Sequence, residues 1–110
     1  MKFLTVDKAH KIIELAELVQ TSRKSQTPGI SRYTLSNYVY NLSSEELAEA
    51  IALMLLGRGH SGEQPSDFPD LVKEAQGVQA HYLLEKSPLA NYLRNGLLKL
   101  EFHLTKDTSN

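Results

Sequence analysis

The stretch Ser43–Gly59, SSEELAEAIALMLLGRG, decides the fold of this chain. It opens with a predicted capping box, in which the Ser43 side chain accepts a hydrogen bond from the Glu46 backbone N–H and the Glu46 carboxylate reaches back to Ser43. The helix that follows, about Ser44–Leu56, is apolar on nearly all of its faces, which indicates burial on most sides. We therefore expect it to be the central helix of the protein.

Two glycines around an arginine end this stretch. A phosphate-binding loop places its glycines before a helix, where backbone N–H groups and the positive end of the dipole face the anion. Here Gly57 and Gly59 follow the helix, so one of them is expected to close it in the left-handed conformation. Arg58 and His60 then serve the last carbonyl groups, or Arg58 contacts a partner or a small anion.

Helix signals also precede the central helix. Thr5 is predicted to cap a first helix, because its hydroxyl can accept a backbone hydrogen bond. Residues 21–31, TSRKSQTPGIS, are predicted to form a loop, and a short Tyr-rich helix follows them. We expect the first helix, the Tyr-rich helix and the last helix to cover the central one.

After the glycines, Asp67 or Ser66 is predicted to cap a fourth helix, which Gly77 weakens or ends. Ser87 and Pro88 form a cap and first-position pair that starts the last helix. No run of residues alternates with period two, so no strand is predicted. The expected fold is all-α: a compact bundle of four to six helices, with one domain over residues 1–104 and a frayed tail over 105–110.

Composition excludes several classes of protein. The 110 residues include no cysteine, which excludes disulfides, thiolate nucleophiles and zinc–thiolate sites. The formal net charge of −1 provides no field that would attract nucleic acid or an anionic membrane. The longest apolar run, Ala50–Leu56, is far too short to span a membrane, and the first residues lack the pattern of a signal peptide. We expect a cytoplasmic protein without a cofactor or a membrane partner.

Two histidine–carboxylate pairs have the spacing of helical metal ligands. His10 with Glu14, and His81 with Glu85, are four residues apart on predicted helices. A four-ligand site would form only if the two helices met with these faces inward. The ordinary interpretation is a pair of solvated side chains, and no metal site is predicted.

Catalytic signals are weak. Glu45, Glu46 and Glu49 cluster in the first turns of the central helix, where capping and solvation explain carboxylates better than acid–base chemistry does. No serine has the Gly-x-Ser-x-Gly context of a nucleophile elbow. The sequence favours a protein that is not an enzyme.

A basic segment without acidic residues runs from Leu18 to Ser44. Its cations, followed by tyrosines, could contact a polyanion, although Tyr38 falls on the apolar face of its predicted helix. A solvated loop is the alternative. The cations concerned are Arg23, Lys24 and Arg32.

Three segments in order, FLTVDKAHKIIELAEL, LSNYVYNLSSEELAEAIALMLLGRG and AHYLLEKSPLANYLRNGL, resemble domain-of-unknown-function family 3775, a group of bacterial proteins. The resemblance covers about Leu4–Leu98 and departs most over Thr21–Arg32. A tryptophan expected after the glycines is absent, and Phe68 takes its place. The resemblance implies no catalytic residue, but it draws attention to its motif positions, so the candidate contact residues are Arg58, His60, Tyr82 and Tyr92.

The leading hypothesis for function is a non-catalytic, small helical module that binds another protein or self-associates. Leu15, Leu18 and Leu98 extend beyond the inward stripes of their helices, and a two-fold dimer would cover such a surplus. The alternative is a binder of a small ligand or nucleic acid that uses Arg58 or the basic loop Arg23–Arg32.

Overall fold

Six α-helices and one 3-10 turn make up the described part of the chain, residues 1–22 and 28–108, in a computed structural model. Side chains are described for residues 1–21 and 31–101. These residues contain no strand, which confirms the all-α prediction. The elements are α1 (Val6–Ser22), α2 (Pro28–Tyr40), α3 (Ser44–Arg58), the 3-10 turn Pro65–Asp67, α4 (Phe68–Ala75), α5 (Ala80–Leu84) and α6 (Leu89–Thr108).

The start of α1 follows the prediction, but the predicted loop after it is too long. The Thr5 hydroxyl accepts a hydrogen bond from the Lys8 backbone N–H at 3.1 Å and so caps α1. The helix continues through Ser22, and α2 begins at Pro28. Proline suits a first helical position because its fixed φ fits the helix and its missing N–H would have no partner there.

Both ends of α3 are closed within its own sequence. At the start, Ser43 Oγ accepts from the Glu46 N–H at 3.1 Å, and Glu46 Oε1 accepts from the Ser43 N–H at 2.9 Å, which confirms the capping box. At the end, Gly59 adopts φ 63° and ψ 24° and donates its N–H to the Leu55 carbonyl at 3.1 Å. Of the two glycines expected to close the helix, Gly59 does so, while Gly57 stays helical.

The caps predicted for α4 and α6 differ from those in the structure. The Asp67 carboxylate accepts a hydrogen bond from the Gln64 N–H at 2.8 Å, so it caps the start of the 3-10 turn and makes no side-chain cap for α4. The last helix, α6, begins at Leu89, and Pro88 precedes it across a cis Ser87–Pro88 peptide bond. It continues through Thr108, into the segment predicted to be a frayed tail.

Burial confirms that α3 is the central helix. Its buried residues lie on all faces: Ala48, Glu49, Ala50, Ile51, Ala52, Leu53, Met54 and Leu56. The last helix, α6, covers it as expected, but its other close neighbour is α4. The first two helices, α1 and α2, pack chiefly on each other, and α1 also packs on α6. The short α4 takes this place because Phe68, Leu71 and Ala75 present one buried face to α3.

The helices α3 and α6 cross in direct backbone contact at two glycines. A Cβ atom built on Gly57 would overlap the Tyr92 carbonyl oxygen and lie 2.6 Å from the backbone nitrogen of Gly96. A Cβ atom on Gly96 would overlap the Leu53 carbonyl oxygen. The two backbones therefore touch directly, and this contact requires glycine in both helices.

None of the helices in residues 1–22 and 28–108 combines the length and the apolar composition needed to cross a membrane.

Candidate functional site

A buried carboxylate fixes the segment that precedes α1. Glu49 is only 4% exposed. Its Oε2 accepts the N–H of Lys2 at 2.7 Å, and its Oε1 accepts the N–H groups of Phe3 at 2.8 Å and Leu4 at 2.6 Å. A buried carboxylate is tolerated only when hydrogen bonds replace its lost hydration, and three backbone donors do so here. Residues 2–4 are therefore held against α3.

We call the three hydrogen bonds to the Glu49 carboxylate the Glu49 clamp. Two neighbouring side chains that it holds point in opposite directions. Leu4 is 2% exposed and enters the core, whereas Phe3 is 55% exposed and projects outward. Because the Phe3 backbone is hydrogen-bonded to Glu49, the ring is presented from a fixed position on the surface. A large exposed aromatic side chain with an ordered backbone is typical of an interface anchor.

An apolar groove lies beside Phe3. It has a volume of about 380 Å³, and residues 1–3, α3 and α4 form its walls. We call it the N-terminal groove. Its lining residues are Met1, Lys2, Phe3, Glu49, Phe68, Pro69, Val72 and Lys73.

The charged side chains that line the N-terminal groove are two lysines and one buried carboxylate. Lys2 and Lys73 are exposed at its rim, whereas Asp70 is exposed on α4 but does not line the groove. The carboxylate of Glu49 faces backbone donors, so it adds no unpaired charge to the apolar walls. The groove can therefore accept an apolar side chain while its basic rim pairs with carboxylates.

The acidic cluster at the start of α3 divides into three roles. Glu45 is exposed, Glu46 caps the helix and pairs with Lys8 of α1, and Glu49 is buried in the clamp. The hydrogen bond from Lys8 lowers the pKa of the Glu46 carboxyl, with a further contribution from the Ser43 N–H. The same bond raises the pKa of Lys8. Capping and solvation account for Glu45 and Glu46, as predicted, but not for Glu49.

A lysine that was not among the predicted residues binds a carbonyl group at the C-terminal end of α3. Lys99 of α6 donates from Nζ to the Leu56 carbonyl oxygen at 2.9 Å. This role was predicted for Arg58 and His60, but His60 is exposed and neither residue donates a hydrogen bond to these carbonyls. A cation at a helix C-terminus also interacts favourably with the dipole.

Arg58 is half-buried, and one of its hydrogen-bond donors has no acceptor among the described residues. Its Nε atom is buried, and no acceptor in the described part of the chain lies within hydrogen-bonding distance. A buried donor without an acceptor is costly in the isolated chain. The Nε atom of Arg58 is therefore available to donate a hydrogen bond to a group outside the chain.

Tyr82 and Tyr92, the other candidate contact residues, occupy separate helices. Tyr82 is half-buried in α5, and the ammonium group of Lys86 lies 4.1 Å from the centroid of its ring. Tyr92 is half-buried in α6, where its carbonyl lies against Gly57. Both pack against the core, so packing explains their positions in the fold.

The proposed polyanion residues are only partly within the described chain. Arg23 and Lys24 lie outside the described residues. Arg32 is exposed on α2 and lines a cleft with Lys86. Tyr33 and Tyr40 are exposed, whereas Tyr38 packs against the core, as its place on the apolar face predicts.

The two histidine–carboxylate pairs do not form a metal site. His10, Glu14, His81 and Glu85 are all exposed. Within the described side chains, no three His, Asp or Glu groups lie close enough together to hold a metal ion.

Three residues that shape these surfaces were not predicted in these roles: Phe3 and Lys99 were not named, and Glu49 was assigned to capping and solvation. A signal existed for Glu49, because it is the only charged residue between Leu47 and Leu56 in the most apolar stretch of the chain. Phe3 and Lys99 have no such local signal, since their roles depend on where distant helices pack.

Comparison with known proteins identifies a family but no activity. No curated protein and no solved structure matches this chain. The model of the family described as "Protein of unknown function (DUF3775)" matches residues 32–102, which include Arg58, both glycines of the α3–α6 crossing, and the α3 and α4 walls of the N-terminal groove. The chain therefore belongs to this family.

Proposed function

We propose that this protein is a non-catalytic helical module that associates with a second copy of itself through the N-terminal groove. The observation that carries the proposal is Phe3, a 55% exposed aromatic residue held beside an apolar groove by the Glu49 clamp. Aromatic anchors of this kind supply much of the binding energy of protein interfaces. Because the backbone of the anchor is already ordered, association loses less conformational entropy.

The surface is suited to binding its own copy. Two-fold symmetry brings the same patch of both chains together, so a projecting group must meet its own receptor site. Here Phe3 is exposed and forms part of the wall of its own groove, and in a symmetric pair each ring would also pack into the groove of the other chain. Across the axis, Lys2 and Lys73 of one rim would pair with an exposed carboxylate of the other chain, such as Asp70 on α4. A net charge of −1 opposes such pairing very little.

The leucine surplus provides a competing surface for the same dimer. Leu15 is buried in the core, so the expectation that it belongs to an apolar surplus is wrong. Leu18 and Leu98 are 49% and 56% exposed, on α1 and α6. Neither helix lines the N-terminal groove, so the two surfaces can be tested separately.

Sedimentation equilibrium at micromolar concentrations tests the proposal. The wild-type chain is expected to show a mass that rises with concentration towards that of two chains. Phe3→Ser should shift the equilibrium to a single chain. Leu98→Ser is the matched control, because Leu98 is exposed to nearly the same extent as Phe3, and it should leave the equilibrium unchanged.

Two outcomes would contradict the proposal. A wild-type mass of one chain at every concentration would exclude self-association. Dissociation by Leu98→Ser but not by Phe3→Ser would move the interface to the other surface. Thermal melts of both variants at low concentration verify that each still folds.

One observation favours a second candidate function, a contact centred on Arg58. Its buried Nε lacks an acceptor, and an external carboxylate or phosphate could provide one. On this hypothesis Arg58→Met should leave the free energy of unfolding unchanged or raise it, because the uncompensated donor is removed. A loss of about 1 kcal/mol or more would instead mean that Arg58 stabilises the isolated chain.

The cellular setting belongs to the same proposal. We infer a bacterial, cytoplasmic protein, which the family resemblance and a cysteine-free composition support. Fractionation of the native cells with an antibody against the chain would test this, and recovery outside the cytoplasm would contradict it.

A further inference from the structure

A second cavity lies away from the N-terminal groove, between α1, α2 and the segment that joins α5 to α6. Its volume is about 360 Å³, at the lower end of the ~300–1,000 Å³ that small-molecule sites occupy. Ala16, Leu35 and Leu89 are buried and form its apolar floor. We call it the basic cleft, because its edge carries two cations.

The two cations of the basic cleft are Arg32 and Lys86. Neither forms an ion pair with a carboxylate in the described part of the chain, although Glu85 also lines the edge. The contact of Lys86 with the Tyr82 ring restrains its ammonium group without neutralising it. The described residues that line the cleft therefore carry a net charge of about +1, obtained from two cations and one carboxylate.

Hydroxyl groups complete the polar edge. Ser36 of α2 and Ser87, just before α6, both line the cleft and can each donate a hydrogen bond to an anion. The cleft thus combines a guanidinium group, an ammonium group and two hydroxyls above an apolar floor.

We propose that the basic cleft binds a small organic monocarboxylate with an apolar body. The carboxylate would accept hydrogen bonds from Arg32 and Lys86, since guanidinium groups match the planar geometry of carboxylates. The apolar body would cover the floor formed by Ala16, Leu35 and Leu89. A single negative charge matches the net charge of the cleft, whereas a dianion would leave one charge uncompensated beside Glu85.

An amide chemical-shift titration with hexanoate at neutral pH tests this proposal on the complete chain. Saturable shifts are expected at residues that line the cleft, such as Leu35, Ser36 and Ser87. Three probes serve as comparisons: hexanol lacks the charge, acetate lacks the apolar body, and inorganic phosphate carries more charge. Each should bind at least about tenfold more weakly than hexanoate, because each loses one of the two complementary parts.

Paired arginine variants identify the residue responsible. Arg32→Gln should weaken hexanoate binding about tenfold, the effect of losing one charge-assisted hydrogen bond. Arg94→Gln makes the same change of charge at an exposed site outside the cleft and should leave binding unchanged. Equal binding of hexanoate and hexanol, an equal effect of the two variants, or no saturable shift up to about 10 mM hexanoate would each overturn the proposal.

Discussion

The two ends of α3 are held by different kinds of interaction. At the N-terminal end, the helix is capped by Ser43 and Glu46, which are only three positions apart in the sequence. At the C-terminal end, Lys99 binds the Leu56 carbonyl from 43 positions away, and the backbone of α6 lies directly against Gly57. The first end can form as soon as the helix forms, whereas the second also requires α6 to be docked. The sequence therefore specifies the two ends with very different clarity.

The largest change in the free energy of unfolding is expected at the glycine crossing. Gly57→Ala should lower the free energy of unfolding by about 3 kcal/mol or more, because the new methyl group meets backbone atoms that cannot rotate away. Urea titration followed by circular dichroism would measure it. The matched control is Gly59→Ala, which adds the same atom where the flexible end of Lys99 lies 3.3 Å away and the Leu56 carbonyl oxygen is in ordinary contact at 3.8 Å. This variant should cost about 1–2 kcal/mol for its positive φ.

Similar stabilities for these two alanine variants would remove the distinction between the ends of α3. If Gly57→Ala does not fold, its absence from the soluble fraction while Gly59→Ala is recovered agrees with the prediction.

The next largest effect is expected where α3 clamps residues 2–4. Glu49→Ala should lower the free energy of unfolding by about 2–3 kcal/mol, because three backbone donors lose their acceptor and Leu4 loses its anchor. Faster hydrogen exchange at the amides of Phe3 and Leu4 would locate the change. Glu45→Gln, at an exposed position one turn earlier, should stay within about 0.5 kcal/mol of the wild type.

Smaller and comparable losses are expected from the two caps. Ser43→Ala should cost about 1 kcal/mol through the lost capping hydrogen bond. Lys99→Met should also cost about 1 kcal/mol, since it removes the bond to Leu56 but keeps most of the apolar stem. The double variant distinguishes the ends further: independent sites should give additive losses. A clearly non-additive result would show that the two ends are coupled.

The smallest effect concerns pH at the N-terminal end. The hydrogen bond between Lys8 and Glu46 lowers the pKa of Glu46, so its contribution to stability is present above the ordinary value of 4.5 and is lost as the pH falls through the lowered pKa. The bond raises the pKa of Lys8, so that contribution is present below 10.5 and is lost as the pH rises through the raised pKa.

Melting temperatures across this pH range would measure the contribution of the pair. The Lys8→Met variant should abolish a small plateau between the two limits, and added salt should reduce the plateau in the wild type. An unchanged profile in Lys8→Met would show that the pair contributes nothing.

Local features of this chain could be predicted because they depend on neighbours in sequence. The capping box at Ser43, the cap at Thr5 and the left-handed glycine after α3 each involve residues within four positions of one another. The all-round apolar character of α3 likewise predicts its central place. The error at Asp67 concerns which of two adjacent elements its side chain caps, and the error at Pro88 is a helix start shifted by one residue.

The remaining features depend on packing that the sequence does not display. Gly96 is a lone glycine in a helical pattern, and nothing local shows that it faces Gly57. Glu49 lies four residues after the exposed Glu45, a spacing that would equally suit two solvated carboxylates. Its side chain is instead buried and accepts a hydrogen bond from the Leu4 backbone. The groove beside Phe3 exists only because α4, which was not expected to cover α3, packs there. The candidate site therefore followed from the arrangement of helices more than from any motif.

The glycine crossing also restricts how this family can change over time. At an ordinary core contact a larger residue in one helix can be balanced by a smaller one in the other. Gly57 and Gly96 have no smaller replacement, so neither position can compensate for the other. Both lie inside the segment that matches the family model. Relatives that keep this crossing should thus carry glycine at both positions, and a relative that loses one should have moved α6 away from α3.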